Sequence, residues 1–328
     1  MLILIVTIVA LALVFDFTNG FHDTANAIAT TVSTRALSPR GAVILAGAMN
    51  LFGALTFTGV AQTIGGKIAN PIKIQHGMIV VLAALICAIV WNLITWYFGI
   101  PSSSSHALIG ALTGAVIGAA GFHAINIKGF TSIIQALVIS PISALIVGFI
   151  LMWVLRLLFA DRSPHRVNKY FRLLQRVSAA LQAFMHGTND AQKTMGVITF
   201  ALVAAGFQHN LTIPLWVKVI CAIAMALGTA SGGWRIIKTV GSKIIKLEPI
   251  NGFASDLTSA TVIFTATLLK LPVSSTHVIS SAIMGTGAAK NFRRVHWGVA
   301  GQIVVAWIIT IPISALLAAI VVRLFLLL

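Results

Sequence analysis

Gly20-Phe21-His22-Asp23-Thr24-Ala25-Asn26 and Gly187-Thr188-Asn189-Asp190-Ala191-Gln192-Lys193 are two copies of one polar phrase in an otherwise apolar chain. A second phrase follows each copy in the same order, Pro101-Ser102-Ser103-Ser104-Ser105-His106 after the first and Pro272-Val273-Ser274-Ser275-Thr276-His277 after the second. Shorter matches keep the register: Thr63-Ile64-Gly65-Gly66-Lys67-Ile68 with Thr239-Val240-Gly241-Ser242-Lys243-Ile244, and Pro141-Ile142-Ser143-Ala144-Leu145 with Pro312-Ile313-Ser314-Ala315-Leu316. A duplication that keeps acids and hydroxyls inside apolar sequence points to a membrane transporter with its site where the repeats meet.

The composition agrees. Of 328 residues, 58% are hydrophobic and 9% charged, where a soluble domain carries roughly a quarter charged. Apolar blocks of membrane-crossing length recur over 2–18, 41–60, 77–98, 105–121 and 130–155, and again over 177–206, 213–233, 252–270, 277–289 and 297–327. The alternation of an outer-membrane barrel is absent. The net charge of +16 is explained by Lys and Arg gathered in cytoplasmic loops, so no nucleic-acid partner is expected. Cys87 and Cys221 lie in apolar runs, so neither a disulfide framework nor a metal cluster is implied. Residues 1–15 lack a basic start and a cleavage site and are read as membrane helix.

Orientation follows from charge. Between the halves lie Arg156, Arg162, Arg166, Lys169, Arg172 and Arg176 against the single acid Asp161, which places the stretch in the cytoplasm. If each half crosses the membrane an odd number of times, most other basic residues also fall inside, and both termini fall outside. The resulting expectation is an all-α integral membrane protein in the cell membrane. It has two inverted-topology repeats, 1–155 and 177–328, of about five to six segments each, with re-entrant or broken helices at the centre and a basic linker over 156–176. A break at Asn19-Gly20 is expected, because residues 2–34 as one helix would run about 50 Å.

The chain has six acids. Asp161 and Glu248 sit in basic loops as surface partners. Asp16, Asp23, Asp190 and Asp256 lie in apolar surroundings, where an unpaired carboxylate costs roughly 2.5–3.5 kcal/mol. Asp23 and Asp190 are read as ligands of a coupling cation, with Asn26, Asn189 and Gln192 adding neutral oxygens. A buried ion pair with Lys193 is the plainer alternative for these acids. Ser103, Ser104, Ser105, Ser274, Ser275 and Thr276, each run preceded by proline, supply hydroxyls and freed helix amides to an anion. Asp256, His106, His277 and Lys193 are secondary candidates; Asp256 is expected to pair with Lys243 or Lys246. No residue set has resident-metal spacing, and no cofactor is expected beyond Na⁺ or H⁺ as coupling ion. An intramembrane hydrolase lacks its Gly-x-Ser-x-Gly elbow. A channel would be expected to carry rings of ligands in symmetric subunits.

The four motifs, in this order and across essentially the whole chain, resemble the inorganic phosphate transporter (PiT) family. The resemblance implies secondary transport of inorganic phosphate with Na⁺ or H⁺, with Asp23 and Asp190 as the paired signature acids, Asn26 as the signature amide and the six hydroxyls as hairpin donors. His22 departs from the family's Asn before the Asp, while Asn189 keeps it. Symport as a neutral metal–phosphate complex, or sulfate transport on the same fold, are the alternatives within this class. Asp23 and Asp190 are also read as facing the anion, and such acids favour phosphate, which still carries protons to donate near pH 7, over acceptor-only sulfate. Association as a homodimer through apolar outer helices is the expected assembly.

Overall fold

Glycine, proline and capping side chains punctuate the chain where its helices stop and start. The computed structural model describes residues 2–74 and 76–327. The first half forms α1 (Leu2–Ser33), α2 (Pro39–Thr56), α3 (Gly59–Lys67), α4 (Gly77–Phe98), α5 (Ser104–Ala120) and α6 (Ile127–Leu158). The second forms α7 (Pro164–Ala204), α8 (Leu215–Ser231), α9 (Trp234–Lys238, continued by a wider turn to Lys243), α10 (Pro249–Leu268), α11 (Ser275–Lys290) and α12 (Trp297–Leu327). Ser38 caps α2, with proline in its first turn, and Asn126 caps α6 by accepting from Gly129 N at 3.1 Å. Gly99 ends α4 in the left-handed conformation at φ +65°, open to glycine at little cost.

The six elements of the first half recur in order in the second, and the halves pack reciprocally. α5 lies on α12 while α11 lies on α6; α1 lies on α8 while α2 lies on α7. Such exchanged contacts are what a pseudo-twofold relation between the repeats produces. Among the described residues, α1, α4, α6 and α12 are each long and apolar enough to cross a membrane, and the bent pairs α2–α3 (68°) and α8–α9 (59°) raise the number to six. The protein is therefore an all-helical, multi-pass membrane protein with broken helices.

The break expected at Asn19-Gly20 is absent. α1 runs unbroken through Asn19-Gly20 for 32 residues, about 48 Å. Its length is accommodated by burial rather than by a kink: from Thr18 to Thr31 every residue but Phe21 is buried within the protein. Gly20 is a contact point, not a breaker, since a Cβ there would lie 2.4 Å from Met225 O of α8. Gly187 in α7 meets α2 in the same way, 2.3 Å from Asn50 O. The glycine that opens each signature thus brings two helices close, and the signature Asp follows one turn later. The basic stretch after Arg156 is mostly helical too, because α7 begins at Pro164.

α5 carries Gly110, Gly114 and Gly118 at every fourth position, and all three face α12; a Cβ at Gly114 would sit 1.9 Å from Ala315 O. In α11, Gly285 does the same against Leu145 O of α6 at 2.1 Å. Small residues on one stripe let membrane helices approach to backbone contact. α6 and α12 present Ile139, Ile142, Ile308 and Leu316 outward, an apolar surface suited to lipid.

Candidate functional site

The Ser-rich phrases are helix starts. Ser103 accepts from His106 N at 3.1 Å and Ser274 from His277 N at 3.2 Å, capping α5 and α11. The two starts meet: the rings of His106 and His277 are 4.3 Å apart, and His277 stacks on Trp307 at 3.9 Å. Trp307 Nε1 donates to Pro101 O at 3.2 Å, fixing the turn before α5. Ser103 and Ser274 therefore act first as caps. The next residues, Ser104, Ser105, Ser275 and Thr276, point at the two signatures.

Asp23 and Asp190 come together from α1 and α7. One oxygen of each and a nitrogen of His186 lie within 4.8 Å of one another, and all three residues are buried. Asp23 accepts from Ser104 Oγ at 3.3 Å and from Thr276 Oγ1 at 3.1 Å, and His22 Nδ1 lies 2.9 Å from it. Asp190 accepts from Ser275 Oγ at 2.5 Å, lies 2.9 Å from His186 Nε2 and receives the Lys193 ammonium. Asn26 Nδ2 donates to Thr276 Oγ1 at 2.9 Å and Ser275 Oγ at 3.2 Å, while its Oδ1 has no hydrogen-bond partner although buried. An unpartnered buried carbonyl on a residue that shares a hydroxyl partner with a carboxylate is a position a cation would complete.

Two amide candidates have other work. Gln192 Oε1 accepts from Val60 N and Ala61 N at 2.9 and 3.3 Å, at the start of α3, and Asn189 Oδ1 accepts from Val273 N at 3.1 Å. Each ties a signature helix to a neighbour. Asp256 corrects an expectation: among the described residues it pairs with no lysine, and instead accepts from Thr30 Oγ1 at 2.6 Å and Ser178 Oγ at 3.4 Å. Glu248 does bind loop cations, with Lys290 at 2.5 Å.

The sequence alone gave Asp16 no role and did not place His186 against Asp190. Asp16 accepts from Thr194 Oγ1 at 2.9 Å and leaves Oδ2 unpartnered. Asp16, Asp23 and Thr30, the partner of Asp256, are spaced by seven on α1, so they share one face at steps of about 10 Å. That heptad of polar positions was the available signal. His186 stands four before Asp190, the same-face spacing on a helix.

Paired carboxylates and capped half-helices at a buried point between two reciprocal repeats define a multi-pass membrane transporter. The phosphate transporter family model matches residues 19–318. A "probable low-affinity inorganic phosphate transporter" of Bacillus subtilis (strain 168) is 59% identical over 98% of this chain and 96% of its own length. One of the same description in Rhizobium meliloti (strain 1021) is 48% identical over 96% and 95%. A solved structure described as "the sodium-dependent phosphate transporter" superposes with a TM-score of 0.90 at 25% identity, covering 99% of both chains. The chain belongs to the phosphate transporter family, and it is a transporter, not an enzyme.

Proposed function

We propose that this protein is a secondary active symporter of inorganic phosphate, driven by Na⁺ or H⁺, with Asp23 and Asp190 as the coupling centre. The observation that carries the reading is the buried meeting of the two carboxylates with hydroxyls from both half-helices. Alone, a carboxylate at membrane depth repels an anion and costs roughly 2.5–3.5 kcal/mol. A cation bound by Asp23, with Asn26 Oδ1 as neutral ligand, cancels that charge, and phosphate then binds against the cation, the Ser/Thr hydroxyls and the amides opening α5 and α11. Each ligand makes the other's binding favourable, which is the physical basis of coupling. Likeness to a transporter described as sodium-dependent supports Na⁺; the four buried histidines His22, His106, His186 and His277 keep H⁺ as the competing ion.

The test is uptake of labelled phosphate into proteoliposomes under an imposed Na⁺ or pH gradient. Accumulation above the bath level under one of them is expected, and equal final levels with and without both gradients would remove the symport reading. Adding Mg²⁺ or Ca²⁺ separates a metal–phosphate complex as the species carried. Unlabelled arsenate, protonated as phosphate is, should inhibit strongly and sulfate weakly. Strong inhibition by sulfate with none by arsenate would assign sulfate instead. We place the protein in the cell membrane with Lys169 cytoplasmic and both termini outside; a label on Lys169→Cys reachable from the outer face would reverse that.

A further inference from the structure

We propose that Lys193 is a cation built into the chain: its ammonium fills in the second repeat the place a mobile cation takes in the first, so each phosphate travels with one cation fewer than two like repeats would demand. This rests on the symport reading above and specifies its stoichiometry.

The repeat register puts Lys193 opposite Asn26, each three residues after its signature Asp. The surroundings correspond as well. Asn26 Nδ2 donates to Thr276 Oγ1 at 2.9 Å, and Lys193 Nζ donates to Ser105 Oγ, the matching residue of the other half-helix, at 2.5 Å. Ser104 donates to Asp23 at 3.3 Å, and its match Ser275 donates to Asp190 at 2.5 Å. The symmetry breaks at the ammonium, which also donates to Asp190 and, at 2.7 Å, to Val273 O.

Carboxylate, hydroxyl and carbonyl oxygens form the donor set that hard cations choose. Here they surround a primary ammonium, which has three N–H bonds, all three directed to them. None remains for the anion, so Lys193 is not a phosphate ligand although it is the one Lys or Arg in the four motifs. Asn26, by contrast, shares Thr276 with Asp23 and leaves its Oδ1 buried and unpartnered, and no lysine or arginine pairs with Asp23 among the described residues. Lys193 is 1% exposed. A buried ion pair is weak evidence of a stabilising role, since an apolar pair of similar volume often does as well or better.

The experiment compares wild type with Lys193→Asn, which recreates the first repeat's residue. In proteoliposomes the reversal potential of phosphate current gives charge moved per phosphate, and the purified protein gives labelled Na⁺ bound per chain. Lys193→Asn should bind one more Na⁺ and, where it transports, move one more cation per phosphate. Unchanged Na⁺ binding together with an unchanged pH dependence of phosphate binding in folded Lys193→Asn overturns the proposal, whether or not it transports. The reciprocal Asn26→Lys should bind one Na⁺ fewer, or under proton coupling lose the pH dependence of phosphate binding; a full wild-type cation requirement also overturns the proposal. Wild type that fails to take up labelled phosphate while these counts hold sinks the substrate reading and leaves the built-in cation standing.

Discussion

Asp190→Asn should both abolish uptake and destabilise the purified protein, whereas Asp23→Asn should abolish uptake and leave the fold nearly intact. The two acids look equivalent in the repeat, but their partners differ. Asp190 is the counter-charge of Lys193, and both are buried. Removing the carboxylate strands an ammonium in the protein interior, at a cost of about 3–5 kcal/mol. Asp23 faces hydroxyls and His22 and has no lysine or arginine partner among the described residues, so an amide there keeps most hydrogen bonds and strands no fixed charge. Thermal unfolding in detergent reads the difference: a drop on the order of 5–15 °C for Asp190→Asn against little change for Asp23→Asn. Asp190→Asn with Lys193→Gln should recover the stability without the transport. Equal melting of both single variants would mean the Lys193 pair is not formed.

Gly114→Leu should leave no folded protein to purify, and Gly285→Leu the same. At Gly114 even a methyl group would lie 1.9 Å from Ala315 O, and at Gly285 2.1 Å from Leu145 O. The obstacle in each case is backbone of a long helix, which cannot swing aside as a side chain can. These contacts join each half-helix to the outer helix of the other repeat, so forcing them apart moves the caps Ser103 and Ser274 away from the signatures. Alanine is the milder step, and overpacking of this kind costs about 1–3 kcal/mol. Gly301 in α12 is the control, with nothing within 4 Å of its Cβ; Gly301→Leu should give wild-type yield. A monodisperse, wild-type-like elution profile for Gly114→Leu would contradict the packing described.

Much of this was legible in residues alone. The duplicated phrases fall at the half-helix starts and carry the two acids that α1 and α7 bring together. Composition supplied the membrane. Gly20 misled because glycine in an over-long helix reads as a breaker, while close approach to α8 depends on a neighbour two hundred residues away. The same limit hid the partners of Asp16 and Asp256, Thr194 and Thr30, which belong to the opposite repeat. Gln192 looked like a cation ligand by proximity in sequence, yet a helix turns successive side chains by about 100°, and it points to α3 instead. Lys193 and His186, three residues after and four before Asp190, were the site contacts that helix periodicity alone made visible.

Joint binding of cation and phosphate at the Asp23–Asp190 centre is what the proposed mechanism requires above all. Equilibrium binding of labelled phosphate to purified protein, titrated with Na⁺ and separately with pH, tests it without any transport step. Phosphate affinity should rise with one of these cations in wild type and stay flat and weak in Asp23→Asn. Phosphate binding that ignores both cations in wild type, or that follows the cation equally well in Asp23→Asn, would contradict the mechanism.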